Sequence, residues 1–285
     1  MYKGLSPGAV GVSADTLDQR LSAAKIGGFG GVECNPSEIA DLVDAEGADA
    51  VRARFAAAGI VPAGWGLPVD WRGAEENWRS GLETLPRLAK AAAAIGAIRT
   101  STWIMPCSNT RELAENTQFH IDRFQPVAQI LGDHGIALGL EFIGPKTLRD
   151  TQRHPFIHTM AEMLALGRAI GPNVGLLLDS YHWYTSHGTL SELKALRPQQ
   201  VVIVHVNDAP AGIAVDSQQD GIRALPGATG VIDIVGFLQT LQSIGYDGPV
   251  IPEPFVNLSE LPSDEARLRT VDAAMDDIWV KAGLN

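Results

Sequence analysis

The chain alternates short apolar runs with longer stretches in which apolar residues recur every three or four positions. These are the periods of buried strands and of amphipathic helices. Val174 to Asp179 reads Val-Gly-Leu-Leu-Leu-Asp, with no polar alternation before the carboxylate that ends it. A strand of that kind is buried on both faces, as in a parallel sheet covered by helices. Seven further runs predict strands: Ala9 to Val12, Gly31 to Cys34, Ile60 to Trp65, Ala97 to Ile104, Ile136 to Phe142, Val201 to Val206 and Val250 to Phe255.

Helical spacing fills the intervals. A helix starts near Asp15 and stops at Gly27-Gly28, and two short segments lead to Ala58, with Gly59 placed to cap the second. Glu75 to Ile95 carries Trp78, Leu82, Leu85, Leu88, Ala92 and Ile95 on one face, with a kink predicted at Pro86. Thr110 to His134, Phe156 to Ile170, Ser191 to Leu196, Ile232 to Ile244 and a carboxyl-terminal helix through Leu268, Val271, Ala274 and Ile278 complete the set.

Eight strand–helix units in 285 residues predict one α/β domain over residues 1–285, a single (β/α)8 TIM barrel. A doubly wound nucleotide-binding sheet fits less well, because Gly27, Gly28, Gly30 and Gly31 precede a strand instead of following one. One connection, Ala209 to Gly230, is too long to be a plain turn, and long loops in compact domains are usually functional.

The ends of the later strands carry the chemistry. Glu141, Asp179, His205 and Glu253 stand at or near the carboxyl ends of strands five to eight, so barrel closure would bring all four to one rim. Taken singly they have plain structural explanations, a cap or turn for Asp179 and a hydrogen-bonded core imidazole for His205. Together, three carboxylates repel and raise one another's pKa unless a cation compensates, and with the imidazole they make a set that suits Mn²⁺, Mg²⁺, Co²⁺ or Zn²⁺.

Composition narrows the classes. The formal net charge of −11 opposes a nucleic-acid partner. Cys34 and Cys107 form neither a disulfide framework nor a CxxC motif, which points to a reducing, cytoplasmic setting. No signal peptide or membrane span is read in the sequence. Self-association into a homo-oligomer stays open.

The motifs Leu140-Glu141-Phe142-Ile143-Gly144, Leu178-Asp179-Ser180-Tyr181-His182, His205-Val206-Asn207-Asp208, Arg223-Ala224-Leu225-Pro226-Gly227 and Pro252-Glu253-Pro254-Phe255 together resemble the sugar phosphate isomerase/epimerase family of xylose-isomerase-like barrels. The chain is most similar to 2-keto-myo-inositol isomerases and somewhat less to ketose 3-epimerases. The resemblance implies one divalent metal held by Glu141, Asp179, His205 and Glu253, with Glu141 and Glu253 as the catalytic acid/base pair and His182 and Arg223 on substrate oxygens. It implies a small-molecule keto-sugar or keto-cyclitol as substrate, isomerised or epimerised by proton transfer through an enediolate. A lyase or dehydratase acting on a keto-inositol or a 3-keto-glycoside would use the same groups. An endonuclease-like barrel and a non-catalytic binding barrel are further alternatives.

Trp65, Trp103 and Trp183 suit the apolar face of a sugar, although packing accounts for a tryptophan equally well. In its own loop Arg223 has Asp216 and Asp220 as alternative partners. Where ketose 3-epimerases carry a further acid after the strand-five glutamate, this chain has Gly144-Pro145-Lys146-Thr147-Leu148-Arg149. That change opposes a free ketose and makes Lys146 a candidate contact to an anionic or bulky substituent.

Overall fold

A computed structural model describes residues 1–284. Eight parallel strands close into a barrel: β1 (Tyr2–Leu5), β2 (Gly31–Glu33), β3 (Val61–Gly66), β4 (Arg99–Ile104), β5 (Ala137–Phe142), β6 (Val174–Asp179), β7 (Val201–Val206) and β8 (Pro249–Pro252). They are hydrogen-bonded in sequence order and β8 returns to β1, where Tyr2 pairs with Pro249 and Lys3 with Val250. Helices follow the strands and form the outer ring.

The first strand departs from the sequence expectation. Ala9 to Val12 is not a strand: Gly8–Val10 forms a 3-10 turn that Gly11 closes at φ +70°. Pro7 and the flanking glycines favour that turn. The true first strand, Tyr-Lys-Gly-Leu, is only half apolar. Lys3 lies on its outward face and pairs with Asp272 and Asp276 of the carboxyl-terminal helix Asp264–Ala282, at 2.6 Å each.

Two apolar layers hold the barrel. Inside it, Ala63, Leu177, Val202, Ile203 and Ile251 fill the lumen, with Tyr2 and Ala137 packed against them. A Cβ at Gly64 would come within 2.8 Å of the Ile203 side chain and 3.3 Å of the Arg99 carbonyl oxygen, so close packing at this point favours glycine. Outside, alternate residues such as Leu176 and Leu178 meet the helices. The helix Ile234–Ser243 buries Ile234, Phe237, Leu238 and Leu241 on one face, each worth about 1.5–3 kcal/mol of transfer free energy. Among the described residues, no helix is long and apolar enough to cross a membrane.

Helix starts are fixed locally. Thr16, Thr159 and Thr189 close capping boxes with Gln19, Glu162 and Glu192. The long loop is anchored by Asp208. Its Oδ2 accepts the N–H groups of Thr229 (3.0 Å) and Gly230 (2.8 Å), and its Oδ1 those of Ile232 (3.0 Å) and Ala209 (2.8 Å). Asp208 also exchanges backbone hydrogen bonds with Ala224, which lays the loop back over the barrel mouth.

Candidate active site

Glu141 near the end of β5, Asp179 at the end of β6, His205 on β7 and Glu253 just after β8 each offer one ligand atom, and these four atoms lie within 4.8 Å of one another. Glu141, Asp179 and His205 are buried, and Glu253 is partly so. The parallel register brings them level, since Asp179 pairs with His205 across β6 and β7 and the Glu253 N–H donates to the Val206 carbonyl.

Neighbouring groups orient Asp179. Its Oδ1 accepts from the Tyr181 N–H at 2.6 Å, so it also caps the helix Ser180–Thr185. Its Oδ2 faces Arg223 Nη1 at 2.8 Å, and the Asn207 amide donates to both oxygens at 3.2 Å. The guanidinium also meets Glu253 Oε2 at 3.2 Å and Asp220 Oδ1 at 2.9 Å, between the Tyr181 and Phe255 rings.

These contacts set the charges. Burial alone would raise Asp179, but Arg223, His182 and His205 outweigh it and hold the carboxyl at about 2. Burial, reinforced by Glu253 and Asp179, pushes Glu141 well above the usual carboxylate range. For Glu253 burial is overcome by His205 and Arg223, so it stays below its ordinary value. Burial opposes a charge on His205, yet Glu253, with Nδ1 to Oε2 at 3.3 Å, carries it up to about 10. In the absence of a cation, these upward shifts favour proton uptake by Glu141 and His205, which eases the repulsion within the cluster.

The donor set fits a metal. Glu141 Oε1 and both ring nitrogens of His205 are buried without a hydrogen-bond partner among the described residues. Buried polar atoms left in that state cost free energy, and one cation at the centre of the cluster would satisfy Glu141 Oε1 and one of the two His205 nitrogens.

His182 sits above this cluster. The Gly144 N–H donates to its Nδ1 at 3.2 Å, and burial keeps the ring's pKa below the ordinary value, so the neutral imidazole carries its proton on Nε2. That Nε2–H lies 3.8 Å from Glu141 Oε1 and 3.7 Å from Asp220 Oδ1, beyond hydrogen-bond reach. Arg223 Nη2, at 3.2 Å, faces it donor to donor. A ligand oxygen inserted here would accept from both.

A cavity of about 400 Å³ covers the cluster, lined by Glu141, His182, Arg223, Glu253, Trp103 and Asp220 and closed by apolar side chains, Phe255 among them. The structure thus brings together six of the sequence-predicted residues around the barrel axis and sets Trp103 at the mouth.

Three residues lie elsewhere. Trp65 is fully buried, with its indole N–H on the Ala97 carbonyl at 2.9 Å, so packing between sheet and helices excludes it from the substrate-facing set. Trp183 packs on Phe237 with ring centroids 5.3 Å apart. Lys146 is exposed on the short helix Lys146–Arg149, and the residue of that helix lining the cavity is Leu148. Sequence reading passed over Asn207 as an orienting group and Asp220 as a cavity residue. Asn207 could have been found from its place directly after β7.

Residues 21–274 match the family described as xylose isomerase-like TIM barrel. A xylose isomerase domain protein from Alicyclobacillus acidocaldarius superposes with a TM-score of 0.85 at 32% identity, covering 99% of both chains. A structure described as IOLI protein with a bound zinc atom superposes at 0.77, with 19% identity over 98% of this chain and 99% of that one, a likeness of fold. In sequence, the chain is 26% identical to a 3-dehydroshikimate dehydratase of Pseudomonas putida over 84% of its length, and 27% identical to an inosose isomerase of Halalkalibacterium halodurans over 53%. The matches span 36% and 51% of those two relatives' own lengths. The chain belongs to the xylose isomerase-like TIM barrel family.

Proposed function

We propose that this chain is a divalent-metal-dependent isomerase or epimerase of a keto-sugar or keto-cyclitol. The observation that carries the reading is the convergence of Glu141, Asp179, His205 and Glu253 within 4.8 Å at the barrel mouth, with buried polar atoms left unpaired. When bound, a divalent cation supplies Lewis-acid polarisation of a carbonyl and its neighbouring hydroxyl. The chain's own groups move the protons. Glu253, whose carboxyl is held ionised beside His205 and Arg223, takes the proton from the carbon next to the carbonyl. Glu141, on a strand separated from β8 by β6 and β7, returns one. Return to the same carbon from the other face gives an epimer, and return to the adjacent carbon gives an isomer. His182 Nε2–H and Arg223 Nη2 hold substrate oxygens, Phe255 shields the developing charge from water, and Trp103 contacts the bound substrate at the cavity mouth.

One observation favours a second reading, elimination. The dehydratase relative matches over 84% of this chain. The same base would then remove the proton while a β-hydroxyl leaves, giving an unsaturated product. Metal-supplemented turnover in D₂O, followed by NMR with inosose and with 3-dehydroshikimate, separates the two. Deuterium at the carbon next to the carbonyl of a recovered isomer supports proton return. An accumulating unsaturated product replaces that reading with elimination, and full turnover by Glu253→Gln refutes the base assignment.

A further inference from the structure

A second cavity, of about 300 Å³, opens beside the first between the segments that follow β3 and β4. The two adjoin. Met105 lines both, and the guanidinium of Arg72, in the second, lies 4.0 Å from the ring centroid of Trp103, in the first.

Its charge is one-sided. Arg72 and Arg111 line it and, among the described residues, no carboxylate does, although the chain as a whole has a formal net charge of −11. Arg72 is clamped between two indoles, 4.1 Å from Trp71 and 4.0 Å from Trp103, and donates to the Trp103 carbonyl. Asp70 is engaged elsewhere, accepting from the Gly73 N–H at 3.0 Å and the Asn77 amide at 3.2 Å. Arg111 stacks on Phe119 at 3.8 Å and makes no ion pair among the described residues.

A third polar group points the same way. Asn116 is 4% exposed and lines the cavity, and its side-chain amide has no hydrogen-bond partner among the described residues. Only its backbone carbonyl is engaged by a side chain, His120 Nδ1 at 2.6 Å. Because guanidinium already covers the faces of Trp71 and Trp103 on this side, the cavity offers a neutral sugar ring little to stack on. Two held guanidiniums and a buried amide are instead complementary to a planar or tetrahedral group of anionic oxygens.

We propose that this cavity binds an anionic oxygen group, a carboxylate or a phosphate monoester, on the far end of the substrate whose ketone lies over Glu141 and Glu253. The proposal rests on the reading of that cluster as the reacting centre and adds the substrate class, an acid or phosphate ester of the keto-ring compound. It also moves the cationic contact expected of Lys146 to Arg72 and Arg111.

The test titrates 3-dehydroshikimate, its methyl ester and inorganic phosphate into the full Mn²⁺-supplemented chain, with tryptophan fluorescence and calorimetry as readouts. The expected result is that the acid binds about tenfold or more tightly than the ester, and that this ratio collapses toward one in Arg72→Met/Arg111→Met. Binding by phosphate, with no preference for the acid, assigns the cavity to phosphate esters. Should the double variant fail to fold, Arg111→Gln alone, which loses only a stack on Phe119, is expected to lower the acid-to-ester ratio about threefold. Absence of binding by both anions, or a preference that survives these substitutions, overturns the proposal. Failure of the catalytic reading is distinguishable, because it leaves the charge preference intact and removes turnover.

Discussion

Replacing Asp179 by asparagine and Glu141 by glutamine makes the same chemical change at two ligand positions, yet the structure predicts unequal costs in metal-free protein. Asp179 is fully buried and faces Arg223 at 2.8 Å. Its carboxyl is held at about 2 against an ordinary value of 3.8, a difference of nearly two pH units or about 2 kcal/mol. Breaking one partner of a buried ion pair typically costs about 3–5 kcal/mol. Arg223 keeps Glu253 and Asp220, so the lower end of that range applies, and Asp179→Asn is expected to lose about 3 kcal/mol. Because this pKa is depressed on folding, the contribution is present above pH 3.8 and is lost as the pH falls through about 2. Glu141 is different: burial already disfavours its charged form, so Glu141→Gln gives up less favourable charge interaction and is expected to cost less than Asp179→Asn. Urea unfolding at pH 7 after chelation measures both. Equal losses in the two variants, or none in Asp179→Asn, would refute the charge assignment. Adding metal at a hundred times its Kd should stabilise the wild type by about 2.7 kcal/mol and neither variant by as much.

Other consequences can be checked independently. His120, 4% exposed and stacked on Phe156 at 4.9 Å, is pushed down by burial to about 4 from 6.5. Its contribution is therefore present above pH 6.5 and lost as the pH falls through 4. The wild type should lose about 2 kcal/mol more than His120→Phe between pH 7 and pH 4.5, and parallel urea curves at the two pH values would contradict this. Asp208→Ala removes the acceptor for four loop N–H groups, so hydrogen exchange at Ala209, Thr229, Gly230 and Ile232 should accelerate at least tenfold. Unchanged protection there would show that the loop is held by other contacts. Trp103→Ala at the cavity mouth should raise KM several-fold with little change in kcat, and a fall in kcat alone would place it closer to the chemistry.

Much of this was legible because a parallel barrel writes its layout as apolar runs. Seven of the eight strands lie where such runs stand, and the four cluster residues fall at or beside the ends of theirs. The first strand escaped because its outward Lys3 is paired with acids of the carboxyl-terminal helix instead of being sealed by apolar residues. Trp65 misled for a reason of register. Between β2 and β3 the pairing skips a residue, placing Gly64 opposite Glu33, so Ala63 faces the lumen while Trp65, two residues on, faces the helices. A bulge inverts the inward and outward alternation, and only the glycine hints at it. The pairing of Arg223 with Asp179, 44 positions apart, depends on a loop fold set by Asp208 that no local pattern specifies. The second cavity was hidden similarly, since Arg72 follows β3 while Arg111 and Asn116 follow β4.

The central claim is that Glu141, Asp179, His205 and Glu253 form one divalent-metal site. Elemental analysis of purified protein after supplementation with Mn²⁺, Co²⁺ or Zn²⁺ and removal of free metal tests it directly, with Glu141→Gln and His205→Ala alongside. The account predicts about one ion per wild-type chain and a loss of about tenfold or more in affinity in each variant. Wild-type protein that stays far below one ion per chain, or variants that hold metal as tightly as it does, would contradict it.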